Sequence, residues 1–379
     1  MKIRLYHTIP EEGRTSSEVY ARELAAALET VASAEVEVAH LYPRARLRRA
    51  AGSFAPAARI GGYLDRYVVY QWRARSFPAD IHHLIDHGYG HLGFSLDPHR
   101  TVANFMDAML YKFRAGELAI DHYPHLTVLA NRMDLVAIRR AARVIAISES
   151  SRRDLLRFTG ADPERVRVIL LGVSQRFSPA DPADPADRAR AAHANGAMPL
   201  RILHVGHCGS YKNIEGILRA LPRASRALGE RIQFVKAGGP FTPAQRVLIT
   251  QLGIEEEVVH LGPVSDEALP GVYRAADVLV MPSLHEGFGL PVLEAMASGT
   301  PVVSSSRGSL PEVVGDAGLI VDDPEDPDAI AAGMVRVLGD PVLRQDLRQR
   351  GLARAATFSW ERTARATLAV YREVYEESR

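Results

Sequence analysis

The chain has 379 residues, a formal net charge of +1 and 47% hydrophobic residues. At roughly 150 residues per domain this length predicts about two domains, and the small net charge argues against a nucleic-acid binder. The one cysteine, Cys208, excludes an internal disulfide and fits a reducing compartment. The first residues lack the apolar core of a signal peptide, and no run approaches the ~18 apolar residues of a membrane span. We therefore expect a cytoplasmic protein, which could touch the inner face of a membrane.

Strands and helices alternate along the first half of the chain. Residues 2–8 predict a first strand, and residues 17–28 carry apolar side chains at helical spacing. Further strands are predicted near 101–105 and 165–173, with a strand and a serine-capped helix over 141–156. This alternation predicts an α/β fold with a parallel sheet covered by helices on both faces.

Residues 44–75 form a strongly basic segment, with eight arginines and a single acid, Asp65. Arg59, Arg66 and Arg73 recur every seven residues, so they fall on one face of a predicted helix. Two interpretations are open. The segment is either an ordinary surface helix with a solvated arginine face, or a basic amphipathic helix that contacts a membrane surface or an anionic acceptor.

A glycine-punctuated loop follows a strand predicted to begin at residue 80. Strands of an open α/β sheet place ligands outside their carboxyl ends, where Asp86, His87 and Tyr89 should lie. His87 and His91 have the spacing of a helical metal pair, but the intervening glycines argue against a helix. We expect His87 to face an acceptor or a donor. Metal binding, or no role at all, are the alternatives.

The composition changes between residues 178 and 199, where Pro-Ala-Asp occurs three times and apolar groups are few. This predicts a solvated linker at 181–199, after a first domain over 1–180. The strand–loop–helix alternation restarts at residue 200. The first loop of this second half places Lys212 just before a helix N-terminus, where backbone amides already favour phosphate.

A second loop between predicted strands feeds another helix. Gly287 and Gly289 let the backbone turn and approach a ligand closely, because they carry no Cβ. Pro291 suits the first helical position, where its missing N–H would be unpaired anyway. The amides around Phe288, Gly289 and Leu290 would then point out of the helix N-terminus, which predicts a phosphate site.

Two carboxylates bracket this anion site. Glu286 lies in the loop and Glu294 in the expected first turn of the helix. An ionised carboxylate accepts hydrogen bonds but does not donate them, so these side chains suit the hydroxyls of a sugar or a ribose. The motif therefore predicts a ligand that carries both phosphate and several hydroxyls.

The sequence from Glu286 to residue 303, EGFGLPVLEAMASGTPVV, resembles the retaining, family 4 glycosyltransferases (glycosyl transferases group 1). The segments 141–173 and 304–318 are similar to the same family. The resemblance implies the GT-B fold, with two Rossmann-like domains whose parallel sheets face each other across a cleft. The first would bind the acceptor and the second, over 200–357, a nucleotide sugar. It also implies that the helix at 358–379 crosses back to the first domain.

The resemblance also implies roles for single residues. In the family, a glycine-rich loop of the first domain faces the donor phosphates, and Gly13 and Ser16 stand in that loop here. His207 stands where an arginine is usual, Lys212 matches a diphosphate-binding lysine, and Val264 borders the base. The implied donor-binding set is therefore Gly13, Ser16, His207, Lys212, Val264, Glu286, Gly287, Phe288, Gly289, Leu290 and Glu294.

The expected reaction retains the anomeric configuration, and the leaving diphosphate itself takes the acceptor's proton. The catalytic candidates are Lys212, Glu286, Asp107 and His87. Asp107 matches half of a His-Asp-like pair in the family, but Met106 stands where the histidine is usual. His87 could substitute for that histidine from the neighbouring strand.

We expect no metal and no cofactor other than the nucleotide-sugar co-substrate. Asp326 and Asp328 have the spacing of a metal motif from a different glycosyltransferase fold, but they lie in an acidic, proline-rich turn. Expected partners are a nucleotide-sugar donor, with a slight preference for GDP-mannose, and a saccharide, lipid-linked glycan or small metabolite as acceptor. The alternatives are a sugar-nucleotide epimerase of the same fold and a non-catalytic nucleotide-sugar-binding protein.

Overall fold

A computed structural model describes residues 1–9, 15–50, 55–118, 125–179 and 199–379. The chain forms two compact units. The first comprises residues 1–110, 123–172 and 359–379, and the second 111–122 and 173–358. These borders lie at 172 and 358, whereas the sequence suggested 180 and 357. Gly13 and nearly all of the expected linker lie outside the described residues.

The first unit alternates strands with helices, as the sequence predicts. Its strands are β1 (Lys2–Tyr6), β2 (Glu37–Leu41), β3 (Ile81–Leu84), β4 (Thr101–Phe105), β5 (Arg143–Ala146) and β6 (Val166–Val168). Its helices are α1 (Thr15–Ala32), α2 (Arg46–Ala50), α3 (Ala55–Leu64), α4 (Tyr70–Arg75), α6 (His125–Ile138) and α7 (Glu149–Thr159), with the short α5 (Met109–Arg114) continuing past residue 110. A π-helical turn, Asp65–Val69, joins α3 to α4.

The strands of the first unit that the structure describes form one parallel sheet in the order β2-β1-β3-β4-β5-β6. Every residue of β3 and β4 is buried, because helices cover both faces of a parallel sheet. The order reverses between β1 and β3. At such a switch point the loops that leave the two strands diverge, which opens a crevice for a ligand.

The second unit repeats this architecture. Its strands are β7 (Leu200–Gly206), β8 (Ile232–Gly238), β9 (Val258–Gly262), β10 (Val278–Met281), β11 (Val302–Ser305) and β12 (Leu319–Val321). Its helices are α8 (Ile214–Leu228), α9 (Pro243–Leu252), α10 (Leu269–Arg274), α11 (Leu290–Ala297), α12 (Leu310–Val314), α13 (Pro327–Gly339) and α14 (Pro341–Ala355). Helix α15 (Trp360–Glu377) follows in the chain and belongs to the first unit.

The described strands of the second unit pair in parallel in the order β12-β11-β10-β7-β8-β9. Numbered from β7, this is the doubly wound order 3-2-1-4-5-6 of dinucleotide-binding folds. Its core packs Ile202 and Phe234 of the sheet against helix residues such as Ile217. The switch point lies between β7 and β10, so this fold predicts a ligand beyond Gly206 and Met281.

Two local expectations about the first unit are wrong. The glycines after β3 do not prevent a helix, since His87–Phe94 forms a 3₁₀ segment that Asp86 caps by accepting from the Gly88 amide at 2.7 Å. Arg66 does not share a solvated face with Arg59, because its guanidinium donates to the Gly88 carbonyl and lies 4.3 Å from the ring of Tyr89.

Helix α15 is anchored to the first unit by buried polar contacts. The His83 ring lies between two partners, Tyr371 Oη at 2.5 Å from Nδ1 and Asn104 Oδ1 at 3.0 Å from Nε2. Since Asn104 Oδ1 can only accept, the His83 proton lies on Nε2 and the Tyr371 hydroxyl donates to Nδ1. Trp360 also packs so closely on Gly172 that a Cβ there would lie 2.2 Å from the Trp360 amide nitrogen.

The buried His83 predicts a loss of stability in mild acid. Burial lowers its pKa from 6.5 to about 4, so between these values the unfolded chain binds a proton that the native state does not. The contribution of His83 to the free energy of unfolding should therefore be fully retained above pH 6.5 and fall by about 1.4 kcal/mol per pH unit down to pH 4. Urea titrations of the wild type and His83→Gln across this range measure the slope. An unchanged slope in the variant would contradict the assignment.

Among the described residues, no helix combines the length and the hydropathy that crossing a membrane requires.

Candidate active site

The switch point of the second unit brings two loops together through Asn213. The loop after β7 ends in a 3₁₀ turn, Ser210–Lys212, and Asn213 follows it in the left-handed region with φ of 55°. The Asn213 side chain accepts from the Gly216 amide at 3.1 Å, which caps α8, and donates to the Pro282 carbonyl beyond β10 at 3.2 Å. This residue therefore fixes the loop after β7 against the loop after β10.

An ion pair lies where these loops meet. Lys212 Nζ donates to Glu286 Oε1 at 2.6 Å, although the two residues are 74 positions apart in sequence. Their exposed fractions are 7% and 8%, so both charges are largely removed from water. An ammonium has three N–H donors, so Lys212 can hold Glu286 and still donate to a second anion such as a phosphate. The pair thus combines an acceptor for hydroxyls with a donor for an anion.

Helix α11 begins beside this pair. Gly289 is its N-cap, with φ of 98°, and Pro291 takes the second helical position instead of the first. The Phe288 side chain is 4% exposed and packs edge-on against Phe358, so its ring belongs to the core and only its backbone can meet a ligand. The first amides of a helix have no intrahelical acceptor. They are suited to bind an anion next to Lys212.

Glu294 lies in the second turn of α11, since the helix begins at Leu290, and not in the first turn as expected. Its carboxylate accepts from the Tyr273 hydroxyl at 2.6 Å. Burial, and then the adjacent negative charge of Glu294, raise the pKa of Tyr273 well above 10. Tyr273 is therefore a fixed donor that orients one oxygen of Glu294.

The backbone of Glu286 is held by the segment 304–318, whose similarity to the family assigned no role to single residues. Ser309 donates to the Glu286 carbonyl through both its amide and its hydroxyl, each at 3.1 Å. Gly308, with φ of 63°, passes so close that a Cβ there would lie 2.5 Å from the Glu286 carbonyl oxygen. Gly308 was the available sequence signal, because a close approach of two backbones requires glycine.

His207 lies in the loop after β7, close to Lys212. Its Nδ1 accepts from the Gly209 amide at 3.0 Å, and its Nε2 meets the Tyr211 hydroxyl. Burial, together with the positive charge of Lys212, lowers the pKa of His207 to about 4. A neutral His207 with its proton on Nε2 can donate a hydrogen bond, but it does not add the charge that an arginine would bring.

A second lysine near this loop was missed from the sequence. Lys236 in β8 is fully buried, and its ammonium donates to the carbonyls of Gly206 at 2.5 Å, Ala237 at 2.8 Å and Gly239 at 3.4 Å. Burial lowers its pKa. Lys236 fastens the carboxyl ends of β7 and β8 to each other. A lysine near the carboxyl end of a largely apolar strand was the signal that could have revealed it.

The other donor-side residues show fewer contacts. Val264 is partly buried two residues after β9, and Ser16 is exposed near the start of α1. Its neighbour Ser17 donates to Asp86 at 2.5 Å.

Asp326 caps α13 by accepting from the Asp328 amide at 2.9 Å. No group of three or more His, Cys, Asp or Glu among the described residues is arranged to hold a metal ion.

The first unit places His87 next to Met106 at the carboxyl ends of β3 and β4. The Met106 amide lies 3.4 Å from His87 Nδ1, and the imidazole packs on Phe105 with ring centroids 5.0 Å apart. Asp107 accepts from the Met109 amide at 3.0 Å, which caps α5. The histidine thus follows β3, and Met106 and Asp107 follow the neighbouring strand β4.

Two doubly wound parallel sheets, each followed at its switch point by ligand-suited loops, define a two-domain α/β protein of the GT-B class. The family profile described as glycosyl transferases group 1 matches residues 186–354. The O-antigen chain mannosyltransferase B of Escherichia coli is 36% identical over 237 residues, which cover 61% of this chain and 61% of that protein. Residues 186–354, less than half of the chain, are thus similar to the group 1 glycosyltransferases.

Solved structures agree with this fold over the whole chain. Sucrose-phosphate synthase from Thermosynechococcus elongatus is similar with a TM-score of 0.74 over 99% of both chains, at 21% identity. HepE from Anabaena, solved in complex with UDP and glucose, is similar with a TM-score of 0.73 over 98% of this chain and 100% of its own, at 19% identity. The match to the E. coli mannosyltransferase, by contrast, spans about three fifths of that protein's length.

Proposed function

We propose that this protein transfers a sugar from a nucleoside diphosphate donor to a hydroxyl of an acceptor, with retention of anomeric configuration. The observation that carries the proposal is the buried pair of Lys212 and Glu286 at the switch point of the second unit, next to the N-terminus of α11. Ammonium, carboxylate and helix amides together match a ligand that joins a diphosphate to a polyhydroxylated sugar.

In the proposed reaction the bond between the anomeric carbon and the donor's phosphate oxygen breaks. Lys212 and the amides of Phe288, Gly289 and Leu290 stabilise the negative charge that develops on the leaving diphosphate. The acceptor oxygen bonds to the anomeric carbon on the same face, and its proton passes to a leaving phosphate oxygen. Glu286 holds hydroxyls of the transferred sugar during this step, so the protein contributes mainly orientation and charge stabilisation.

The remaining residues are assigned by the contacts they can make. Glu294, oriented by Tyr273, would accept from the ribose diol. His207 would donate from Nε2 to a donor oxygen in exchange for its present contact with the Tyr211 hydroxyl. His87 and Asp107 stay candidates for the acceptor or sugar side, and the position of His87 beside Met106 supports its use in place of the missing histidine.

The donor is proposed to be a nucleoside diphosphate sugar, with a preference for GDP-mannose. A mannosyltransferase among the relatives supports mannose as the transferred sugar. HepE was solved with UDP, so a uridine diphosphate sugar is the alternative donor. The acceptor is proposed to be a saccharide, a lipid-linked glycan or a small metabolite. We propose that transfer needs no metal, because Lys212 and the helix amides supply the positive charge that the leaving group needs.

A thermal-shift screen against GDP, UDP, ADP, dTDP and their sugar conjugates tests the proposal. A ligand that binds only the native state adds about 2.7 kcal/mol at one hundred times its dissociation constant, so one diphosphate should raise the melting temperature clearly. Turnover of that donor with an acceptor then separates transfer from binding alone. Binding without turnover would favour a non-catalytic nucleotide-sugar-binding protein, and donor conversion without acceptor an epimerase. Absence of any shift would refute the proposal.

Replacing Glu294 by alanine should weaken binding of the nucleoside diphosphate about tenfold, because a charged acceptor for the ribose hydroxyls is lost. Isothermal titration with the diphosphate selected by the screen measures the effect. Tyr273→Phe is the matched control, since it removes the hydrogen bond to Glu294 but keeps the carboxylate. It should weaken binding less than the alanine variant does. If Glu294→Ala bound the nucleoside diphosphate as tightly as the wild type does, Glu294 would not belong to the binding site.

A further inference from the structure

An apolar stripe runs along the outside of the helix formed by α3, the π-helical turn and α4. Ile60, Leu64, Val68 and Trp72 follow one another at intervals of four residues, and their exposed fractions are 61%, 43%, 56% and 69%. Single exposed apolar side chains are common, but a row of four large ones is not. We call these four residues the apolar stripe.

The π-helical turn keeps the stripe aligned. In an α-helix of 3.6 residues per turn, a four-residue step overshoots one turn by about 40°, so four such side chains would spiral around the axis. The wider turn at Asp65–Val69, with hydrogen bonds to the fifth residue, reduces the overshoot. The stripe therefore stays on the outer side, while Tyr70 and Ala74 are buried inside.

The only acid of this region is used internally. Asp65 is fully buried and accepts from the amides of Leu47 at 3.2 Å and Arg48 at 2.9 Å. These bonds pin α2 against α3, where a Cβ on Gly61 would lie 2.7 Å from the Leu47 backbone. Because Asp65 is buried, the segment 44–75 has no acidic side chain at its surface.

Arginines surround the stripe instead. The exposed ones of the segment are Arg44, Arg46, Arg48, Arg49, Arg59 and Arg75. Their crowding shows at Arg73, whose pKa is lowered by burial and by the charges of Arg44 and Arg46. Leu47, 42% exposed, extends the apolar surface onto α2 between these arginines. The result is an apolar row flanked by positive charge without compensating acids from the same segment.

We infer that this face docks on an anionic phospholipid bilayer, with the apolar stripe at the boundary between headgroups and acyl chains and the arginines on the lipid phosphates. An amphipathic helix with Trp and aliphatic residues on one side and arginines beside them binds anionic membranes through both contributions. Charge complementarity favours an anionic bilayer over a second copy of the chain, because a second copy would bring the same positive charges against each other. The inference does not depend on sugar transfer.

Vesicle binding by the purified full chain tests the inference. The protein should float with vesicles of phosphatidylcholine and phosphatidylglycerol, release them as salt is raised, and bind pure phosphatidylcholine much less. The chain has two tryptophans, and Trp360 is buried, so emission that shifts to the blue on binding reports Trp72. The variant Trp72→Phe should still bind but lose that shift.

Paired variants assign the contact to the stripe. Ile60→Ser with Val68→Ser should lower the partition coefficient about tenfold or more, because apolar surface no longer enters the membrane. Val247→Ser with Val342→Ser is the matched control, since these second-unit valines are 56% and 80% exposed and should not matter. Arg46→Gln and Arg48→Gln should each lower the partition coefficient about fivefold at low salt. Unfolding temperatures should match the wild type throughout.

Three results would overturn the inference. One is equal binding to neutral and anionic vesicles, and another is no binding to either. The third is a stripe-dependent dimer in analytical ultracentrifugation without lipid binding, which would assign the stripe to a second copy of this chain.

Discussion

Replacing Lys212 by alanine should lower kcat about 100- to 1,000-fold, the effect typical of removing one preorganised donor from a developing anion. The donor concentration must saturate the variant, so that the loss is not one of binding alone. Steady-state kinetics with the donor and acceptor found by the screen measure this. Lys212→Arg keeps the positive charge and should retain more activity than the alanine variant. Undiminished kcat in Lys212→Ala would contradict the proposed role.

The same substitution should also lower stability, which must be separated from chemistry. Without its partner, the Glu286 carboxylate stays buried and unpaired, and breaking such a pair costs about 3–5 kcal/mol. The double variant Lys212→Ala, Glu286→Gln removes the buried charge and should recover much of the lost free energy of unfolding. It should not recover turnover. If stability and turnover returned together, the pair would be structural only.

Replacing Gly308 by alanine should lower the free energy of unfolding by about 2–5 kcal/mol and reduce kcat/KM for the donor. Alanine pays about 1–2 kcal/mol in the left-handed region, and at φ of 63° its Cβ would meet the Glu286 carbonyl oxygen at 2.5 Å and the amide nitrogen at 2.7 Å. Relief of this clash costs a further 1–3 kcal/mol or so. It must move the backbone of Glu286, so the carboxylate leaves its place opposite Lys212.

Gly253→Ala is the matched control for this variant. Gly253 has φ of 65°, but a Cβ there would meet no atom within 4 Å. Gly253→Ala should therefore lose only the free energy of placing alanine in the left-handed region, about 1–2 kcal/mol, and leave kcat/KM unchanged. Urea unfolding and donor kinetics of both variants decide the matter. Equal losses of stability in the two, with full activity in Gly308→Ala, would show that the Glu286 loop tolerates the displacement.

Local patterns were enough to predict most of the fold. The alternation of apolar strands with amphipathic helices predicted two parallel α/β units, and the structure confirms them. The apolar run of β10 is continuous because both faces of this strand are buried. The boundaries were less accurate. Residues 173–179 pack with the second unit, which the composition of the chain around Pro179 did not reveal.

Predictions that required a helical register failed where the helix is not regular. The seven-residue spacing of Arg59, Arg66 and Arg73 assumed 3.6 residues per turn, but a π-helical turn lies between the first and the last of them. Arg66 consequently turns toward Tyr89. The same π-helical turn keeps the apolar stripe, with its four-residue spacing, on one side of the helix. The local sequence does not predict a π-helical turn.

By itself the sequence determined the residue types of the site: the glycines and Pro291 that start a helix, the two glutamates around it, and a lysine before another helix. Short-range backbone preferences act over a few residues, so they can be read in one dimension. Only the tertiary structure decided that Lys212 meets Glu286, that Ser309 and Gly308 hold Glu286, and that Asp65 is buried beneath a basic surface. Those pairings depend on strand order, which brings together residues far apart in the chain.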